Sequence, residues 1–487
     1  MFIANSFPII ENIYIMSMLH EQFGVAVLSH LPYTPNREQN LLIASLSFFC
    51  MEQETDSVMI INGHAGTGKT SLTGALVKAL KDFGKKTVLL APTGRAAKVF
   101  SEYAGHSAFT IHRKIYRQKS YSPEYGNFQL AENKHTDTFF IVDEASMIPN
   151  SSTEGVVFGT GCLLDDLVHY VYSGVRCHLI LLGDNAQLPP VGFTDSPALS
   201  HEQLKSYGLK VYENRLTEIA RQAAESGILY NATTLRRNME RGEMLNVPRL
   251  KFSDFDDIEV LSGEYMSEMI SDCYGRDGLN ETIVITRSNK RATMFNAGIR
   301  NQILYREDEL VSGDMLLVAK NNYYWSEQYE ELDFIANGDV ARVSRVRGIQ
   351  EMYGLRFADV TLEFPDHNNV EVDVKVVLDG LFSDAPALNR DQNERLYMEI
   401  YSELQGDKRS RYKAMKQNPY FNALQVKYAY TVTCHKAQGG QWKNVFIDMG
   451  YIPEEAYKTI DFYRWLYTAV TRAQSHVYLI NFPLESD

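Results

Sequence analysis

Eight consecutive residues, Gly63 to Thr70, have the types and spacing of a phosphate-binding loop. They read GHAGTGKT and fit the pattern G-x-x-x-x-G-K-T. The glycines let the backbone curl so that its N–H groups face phosphate oxygens, and the following helix N-terminus adds partial positive charge. Lys69 is expected to reach the β- and γ-phosphates, and the Thr70 hydroxyl to ligate Mg²⁺. The residues expected to bind the nucleotide here are Gly63, Ala65, Gly66, Thr67, Gly68, Lys69, Thr70 and Ser71.

Two carboxylates, Asp143 and Glu144, end an apolar run that starts at Phe139. In a nucleotide hydrolase the first carboxylate holds Mg²⁺, often through water, and the second orients or deprotonates the attacking water. A polar segment, GDNAQLPPVG, follows at residues 183–192, and its Gln187 is suited to hydrogen-bond the γ-phosphate and the water. Together with the loop, these residues predict hydrolysis of a nucleoside triphosphate.

Two arginines, Arg221 and Arg472, are candidates to neutralise charge on the transferred phosphoryl group. An arginine in this role is worth about 10³–10⁵ in rate. A lone arginine is more often a surface cation. The surrounding segments, LTEIARQ and YTAVTRA, raise these two above the other arginines.

The first third of the chain alternates apolar strands with helical patterns, which predicts a parallel sheet with crossover helices. Each predicted strand ends where a polar or glycine-rich motif begins, so the motifs are expected at the carboxyl edge of the sheet. A turn cluster between Ile115 and Thr136 suits a small hairpin. Residues 311–377 indicate short β segments of a small barrel, and residues 394–416 a charged helical element. The predicted strands are Val58–Asn62, Thr87–Ala91, Phe139–Asp143, His178–Leu182, Thr282–Thr286, Met315–Ala319, Val340–Val346, Val360–Phe364, Val370–Val376, Val426–Val432, Val445–Asp448 and Val477–Asn481.

Charge along the 487-residue chain is unevenly distributed. The net charge is −13, which at first argues against a nucleic-acid partner. Two tracts, Lys85–Lys119 and Lys408–Lys443, are nevertheless rich in lysine and arginine and contain a single acid, Glu102. Such tracts on an acidic body suit a path for phosphates, although a solvated surface is an equally good reading of the charge pattern alone.

The rest of the composition favours a cytoplasmic protein without a membrane partner. No apolar stretch reaches transmembrane length. The N-terminal segment, residues 1–29, lacks the features of a secretory signal and suits a short docking helix. The five scattered cysteines form no C-x-x-C pair, which argues against a disulfide framework or a zinc site.

The motifs in this order resemble those of superfamily 1 helicases, in the RecD/Dda-like 5′→3′ group. The loop resembles motif I, Asp143-Glu144 motif II, residues 183–192 motif III, and Arg221 matches motif IV. The segments APTGRAA at 91–97 and FTIH at 109–112 resemble motifs Ia and Ic. ITRSNK from 285, YTVTCHKAQG from 430 and YTAVTRA from 467 resemble motifs IVa, V and VI.

The resemblance implies an α/β protein with two RecA-like parallel-sheet P-loop domains in tandem, the second interrupted by a β-rich SH3-like insertion. The expected boundaries are a docking segment at 1–29, domain 1A at 30–205 with a pin hairpin at about 115–136, domain 2A at 206–310 and 417–487, and domain 2B at 311–416. It also implies ATP and Mg²⁺ as ligands, with Gln39 reading adenine.

Single-stranded DNA and single-/double-strand junctions are the implied partners, and a monomer is expected. The family arrangement places ATP between the two domains and DNA across their top. Hydroxyls, amides and cations at strand ends suit contacts to phosphates, which position a strand without reading its sequence. The implied DNA-binding residues are Pro92, Thr93, Arg95, Thr110, His112, Thr286, Asn289, Asn296, Thr433, His435 and Lys436.

The sequence thus predicts an ATP-dependent 5′→3′ DNA helicase. Two alternatives remain open at this point. A nucleic-acid-dependent translocase that strips bound proteins without unwinding shares every motif. A non-processive regulatory module switched by ATP is a different class, and a degenerate carboxylate or a missing arginine would have favoured it. DNA over RNA, and the polarity, rest on the family resemblance alone.

Overall fold

The computed structural model describes residues 7–52, 54–118, 128–151, 158–219, 226–244, 247–326, 328–329, 332 and 334–483. Its contacts divide the chain into two compact units. The first unit comprises Met1–Pro92 and Ala96–Glu225, and the second comprises Thr93–Arg95 and Ser226–Asp487.

Helices and strands alternate through the first part of the chain. The helices are α1 Phe7–His30, α2 Arg37–Met51, α3 Lys69–Asp82, α4 Gly94–Ala104, α5 Ile111–Ile115, α6 Leu163–Tyr172 and α7 His201–Ser206. The strands are β1 Ser57–Gly63, β2 Lys86–Ala91, β3 Ala108–Thr110, β4 Tyr116–Gln118, β5 Phe128–Leu130, β6 Thr138–Val142, β7 His178–Gly183 and β8 Lys210–Leu216.

Six of these strands form one parallel sheet, in the order β3-β2-β6-β7-β1-β8. The central strands β1, β6 and β7 are buried along their whole length, because apolar residues cover both faces of the sheet. Their continuous apolar runs are typical of a parallel sheet covered on both sides. This arrangement brings the ends of β1, β6 and β7 to one edge.

Strand β8 extends the first sheet beyond the boundary at residue 205 that the sequence suggests. It pairs with β1 from Ser57↔Lys210 to Gly63↔Leu216. Its residues alternate between exposed and partly buried positions at the sheet edge. An edge strand of this kind lacks the continuous apolar run that marks the central strands.

The N-terminal helix α1 packs against α2 and α3. Phe23 and Val27 are fully buried in the cluster that includes Leu42 and Leu76. Between α5 and β6, strands β4 and β5 pair antiparallel, Tyr116 opposite Leu130. The tip of the predicted hairpin, residues 119–127, lies outside the described residues.

The second part of the chain contains a further parallel sheet and a closed barrel. The helices are α8 Gly227–Arg241, α9 Met266–Asp277, α10 Asn289–Gly298, α11 Arg390–Glu403, α12 Lys408–Lys416, α13 Cys434–Ala437, α14 Glu454–Tyr457 and α15 Ile460–Val470. The strands are β9 Ile258–Leu261, β10 Thr282–Thr286, β11 Met315–Val318, β12 Val340–Met352, β13 Leu355–Phe364, β14 Val370–Val377, β15 Leu424–Tyr428, β16 Thr431–Thr433, β17 Trp442–Asp448 and β18 Ala473–Ile480.

The second sheet is parallel in the order β16-β10-β17-β18-β9, and β11 to β15 close the barrel. The sequence predicts one strand over Val426–Val432. The structure instead divides this stretch, so that β15 completes the barrel and β16 belongs to the sheet. Both strands are apolar, and sequence periodicity does not reveal which sheet a strand joins.

A buried ionic cluster connects the segment before β11, the first strand of the barrel, to the segments around the second sheet. The Asp314 carboxylate is fully buried and accepts hydrogen bonds from Arg300 at 3.0 Å, Arg306 at 2.6 Å and the Tyr430 hydroxyl at 2.8 Å. Arg300 follows α10 in a π-helical turn, and Tyr430 lies between β15 and β16. Removing one partner of such a cluster leaves a buried charge unpaired, which is costly.

Across the described parts of the chain, no helix combines the length and the apolar character that crossing a membrane requires.

Candidate functional site

The phosphate-loop residues lie between the buried strand β1 and the first turn of α3. Gly66 has φ 75° and Gly68 has φ 80°, a conformation that residues with a side chain rarely adopt. At Gly68 a Cβ atom would lie 2.5 Å from the Tyr33 hydroxyl and 2.6 Å from the Gln39 amide nitrogen. A side chain at Gly68 would therefore strain the backbone and displace Tyr33 and Gln39.

Lys69 is held at the edge of the sheet by main-chain oxygens. Its ammonium group donates to the carbonyl oxygens of Gly63 and Gly183, the last residues of β1 and β7. Thr67 is fully buried and its hydroxyl donates to the His64 carbonyl at 2.8 Å. Thr70, by contrast, is exposed. The Thr70 side chain is thus available for a ligand, and the Lys69 ammonium group keeps a third donor beyond these two bonds. The Thr67 side chain instead stabilises the loop.

Gln39 supports the loop from the start of α2. It is 2% exposed, and its amide nitrogen donates to the Thr67 carbonyl at 2.9 Å. Its amide oxygen accepts from the Asn36 N–H at 3.0 Å in a capping box. Both ends of the amide are therefore used within the protein. An adenine contact at Gln39, as the resemblance implies, would have to replace or share these hydrogen bonds.

The carboxylate pair follows β6. One oxygen of Asp143 accepts from the Tyr103 hydroxyl at 2.5 Å, and the other accepts from the Glu144 N–H at 2.8 Å. Glu144 has φ 50°, which is uncommon for a residue with a side chain. Burial, together with the nearby carboxylates of Asp143 and Glu144, raises the pKa of Tyr103 well above its ordinary value of 10.0. The tyrosine therefore remains a donor to Asp143 at neutral pH.

Gln187 lies in the loop that follows β7. Its N–H donates to the Asp184 carbonyl at 3.1 Å. Asp184 is 1% exposed and its carboxylate lies 2.9 Å from His64 Nδ1, which ties this loop to the phosphate loop. The amide oxygen of Gln187 is buried and has no hydrogen-bond partner among the described residues. A buried acceptor without a donor is costly and indicates a missing partner.

These features fit a nucleotide with a magnesium ion. The positive-φ glycines and Lys69 suit phosphate oxygens. The Asp143 carboxylate and the Thr70 hydroxyl offer the oxygen ligands that Mg²⁺ prefers. The amide oxygen of Gln187 can accept from a water molecule. Ala65 and Ser71 lie in the same loop and first turn.

The two predicted arginines have different outcomes. Arg221 lies outside the described residues. Arg472 is 4% exposed in the second unit, and its guanidinium donates to the Thr468 carbonyl at 3.1 Å and to the Thr471 hydroxyl at 3.3 Å. It also donates to the Gly440 carbonyl at 3.5 Å, so its orientation just after α15 is fixed by several oxygens of the second unit.

The candidate DNA contacts before residue 113 lie at strand and helix ends. Pro92 and Thr93 follow β2, and both are partly buried. Thr110 is partly buried, ends β3 and caps α5, because its hydroxyl accepts from the Arg113 N–H at 3.2 Å. Burial lowers the pKa of His112 to about 4. His112 is therefore neutral at physiological pH and would contact DNA as a hydrogen-bonding group rather than as a cation.

Arg95 lies in the first turn of α4 and is grouped with the second unit. Its guanidinium lies 4.0 Å from the Trp442 ring and donates to the Gln441 carbonyl at 2.9 Å. Both contacts favour this orientation of the guanidinium.

Two predicted contacts in the second unit, Asn296 and Thr286, are buried. Asn296 is 4% exposed, and its amide bonds to the backbone of Tyr428 and Thr431 through three hydrogen bonds. It therefore holds the turn between β15 and β16 and offers no free atom to a ligand. Thr286 is fully buried and its hydroxyl donates to the Ser288 carbonyl at 3.2 Å. Asn289, in contrast, is exposed at the start of α10.

The remaining candidates, Thr433, His435 and Lys436, lie together where β16 passes into α13. Thr433 is partly buried, and the other two side chains are exposed. Lys436 donates to the amide oxygen of Asn337, in the loop before β12 of the barrel. Desolvation by surrounding atoms lowers the pKa of both His435 and Lys436.

Sequence reasoning did not identify Tyr103 or Tyr33, and it placed His64 and Asp184 within motifs without giving them a role. Tyr103 looks like an ordinary apolar residue of an amphipathic helix, so no local signal marks it. Asp184 follows a buried strand directly, and that position is the signal that could have identified it.

Two segments of the chain that contain these motifs match known protein families. Residues 48–247 match the model of the AAA domain family, and residues 428–480 match that of the UvrD-like helicase C-terminal domain.

Two curated helicases are similar to most of the chain. The ATP-dependent RecD2 DNA helicase of Deinococcus radiodurans is 26% identical over 435 residues, which is 86% of this chain and 46% of that protein. The ATP-dependent DNA helicase Dda of Enterobacteria phage T4 is 24% identical over 459 residues, which is 86% of this chain and 93% of that protein. The chain thus spans less than half of RecD2 and nearly all of Dda.

Solved structures of Pif1 helicases are also similar. Bacteroides Pif1 in complex with ADP-AlF3 and single-stranded DNA has 15% identity and a TM-score of 0.45, covering 93% of this chain and 94% of that chain. Candida albicans Pif1 has 16% identity and a TM-score of 0.39, covering 93% and 95%.

Proposed function

We propose that this chain, which belongs to the RecD/Dda-like group of superfamily 1B helicases, is an ATP-dependent DNA helicase. It moves along single-stranded DNA in the 5′→3′ direction and separates the duplex ahead of it. Because the chain matches less than half of RecD2, the proposal concerns the activity of this chain and not that of the longer relative.

The observation that carries the proposal is the convergence of the hydrolytic residues at one sheet edge. Lys69 bonds to the ends of β1 and β7, and Asp143 and Glu144 follow the neighbouring strand β6. The amide oxygen of Gln187, which has no hydrogen-bond partner within the described parts of the chain, lies in the loop after β7. A cation for the phosphates, a carboxylate for a metal and a base for water are the groups that this chemistry needs.

In this proposal each side chain has one task. Lys69 neutralises charge on the β- and γ-phosphates, and Glu144 takes a proton from the attacking water while Gln187 orients that water. Mg²⁺, held by Thr70 and Asp143, would supply charge neutralisation between the phosphate oxygens. Arg221 and Arg472 are assigned to stabilising charge on the transferred phosphoryl group.

The finer assignments follow the family resemblance. The two parallel sheets are assigned as RecA-like domains, the barrel β11–β15 as the SH3-like insertion, and β4–β5 as the base of the strand-separating pin. DNA contacts are assigned to Pro92, Thr93, Arg95, Thr110, His112, Asn289, Thr433, His435 and Lys436. Asn296 and Thr286 are left out, because both are buried and bonded within the protein. The protein is assigned as a monomer acting at single-/double-strand junctions.

A strand-displacement assay tests the proposal. We expect unwinding of 5′-tailed DNA in the presence of ATP and Mg²⁺, and little unwinding of 3′-tailed DNA or of the RNA equivalents. Lys69→Ala should reduce ATP turnover and unwinding about 10²–10³-fold, since it removes a cation from the developing charge. Lys78→Ala, on the exposed face of the same helix α3, is the matched control and should retain both activities.

Three outcomes would contradict the proposal in different ways. Full unwinding by Lys69→Ala would show that ATP hydrolysis at the phosphate loop does not drive strand separation. ATP turnover stimulated by single-stranded DNA without strand separation would identify a translocase. Nucleotide binding without turnover, insensitive to DNA, would identify a regulatory module.

A further inference from the structure

Tyr103 connects the metal carboxylate of the nucleotide site to a helix that carries none of the hydrolytic residues. Its hydroxyl donates to one oxygen of Asp143 at 2.5 Å, while the Glu144 N–H donates to the other oxygen at 2.8 Å. Each carboxylate oxygen therefore accepts one hydrogen bond, and the two bonds together restrict the rotation of the carboxylate. A carboxylate oxygen has two lone pairs, so each oxygen can keep its donor and still face a metal or a metal-bound water.

The tyrosine is itself held rigidly. Its ring stacks on Phe100, with centroids 5.1 Å apart and planes inclined by 24°, and Phe100 is fully buried. Its main-chain carbonyl lies against Gly74 of α3, where a Cβ atom would come within 2.9 Å of it. Tyr103 thus contacts the carboxylate through its hydroxyl and the phosphate-loop helix through its backbone.

From this geometry we propose that Tyr103 is a positioning residue for Mg²⁺: it orients Asp143 and sets the distance of α4 from the phosphate-loop helix. The proposal rests on the nucleotide chemistry assigned above. It implies that the affinity for Mg²⁺ depends on the position of α4. The first turn of α4 carries Arg95, one of the candidate DNA contacts. Partners that orient metal ligands typically change metal affinity 10–100-fold when they are removed.

The test measures binding rather than turnover. A fluorescent ATP analogue is titrated at a series of Mg²⁺ concentrations, and again in EDTA. In Tyr103→Phe the ring and its stacking on Phe100 remain, but the donor is lost and the carboxylate can rotate. We expect the half-saturating Mg²⁺ concentration to rise about 10-fold, with binding in EDTA unchanged.

Tyr172→Phe is the matched control. Tyr172 belongs to the same unit, and its hydroxyl donates to the Ser57 carbonyl at 2.7 Å. The Tyr172→Phe variant therefore loses one tyrosine hydrogen bond that does not involve Asp143. The Mg²⁺ dependence of its nucleotide binding should equal that of the unmodified protein. Thermal unfolding of both variants checks that they fold.

The possible results separate this proposal from the proposed function. If the unmodified protein shows no Mg²⁺-dependent nucleotide binding, the proposed function fails. If it shows such binding and Tyr103→Phe has the same or a lower Mg²⁺ requirement, only the role of Tyr103 is wrong. A rise of the same size in Tyr172→Phe would show that the effect is not specific to Asp143, and would also overturn the proposal.

Discussion

Glu144 has an uncommon backbone conformation at the end of a buried strand. It directly follows the fully buried strand β6 and has φ 50°. A residue with a side chain adopts this conformation at a cost of about 1–3 kcal/mol, and such positions concentrate at functional sites. The turn directs the chain away from the strand immediately after Asp143. In the proposed mechanism the two adjacent carboxylates serve different ligands, the first a metal and the second a water molecule.

Glu144→Gln separates nucleotide binding from hydrolysis. The amide has nearly the shape of the carboxylate but cannot accept a proton, so we expect ATP turnover to fall about 10²–10⁴-fold. Equilibrium binding of a fluorescent ATP analogue should stay within a factor of a few, because Lys69 and the loop are unchanged. Retention of turnover would show that another group activates the water.

At the level of elements, α3 and α4 both contribute residues to the proposed nucleotide site. Gly74 of α3 faces the Tyr103 carbonyl, and a Cβ atom there would come within 2.9 Å of that oxygen. Helix α3 supplies Lys69 and Thr70, and α4 supplies the donor to Asp143. We therefore expect the spacing of these two helices to affect both the phosphate loop and the proposed metal ligand, Asp143.

Gly74→Ala should destabilise the protein although alanine favours helices. The added methyl group would come within 2.9 Å of the backbone oxygen of Tyr103, and overpacking of this kind costs about 1–3 kcal/mol. Gly275→Ala is the control, since Gly275 lies in α9 with open space around its Cβ position. It should stabilise by about 0.5–1 kcal/mol. Chemical denaturation of both variants gives the comparison, and equal effects would contradict the predicted contact.

For the whole molecule, the distribution of charge matters more than its sum. A net charge of −13 repels nucleic acid at long range, so binding needs local cations. The structure places Lys436 at the surface beside Thr433 and His435, at the carboxyl end of β16. Arg95 stacks on Trp442. Binding of single-stranded DNA should therefore depend strongly on salt.

The expected salt dependence can be tested at one residue. The logarithm of the DNA association constant should fall linearly with the logarithm of salt concentration, with a slope of about −0.7 per neutralised phosphate. Lys436→Ala should weaken binding and make the slope less steep by about 0.7. Lys443→Ala, exposed on β17 in the same basic tract, should leave the slope unchanged. Equal slopes for Lys436→Ala and the unmodified protein would exclude a phosphate contact at Lys436.

The strands that carry the nucleotide motifs were predictable because their signals are local. Strands β1, β6 and β7 are buried on both faces, so each is a continuous apolar run followed directly by its polar motif. Strand β8 was missed, since an edge strand exposes part of its residues. The assignment of β15 to the barrel was also missed, because pairing joins residues far apart in sequence.

The sequence by itself determined the motifs, their order and the chemistry that they allow, since a phosphate loop needs particular residue types at fixed spacing. Only the tertiary structure decided which side chains are free to act. It buries Asn296 in three hydrogen bonds to the backbone, although its neighbour in the motif, Asn289, is exposed. It also brings Tyr103 to Asp143 from a different helix. Burial and hydrogen bonding depend on segments distant in sequence. For that reason the residue pattern alone predicted neither the burial of Asn296 nor the contact between Tyr103 and Asp143.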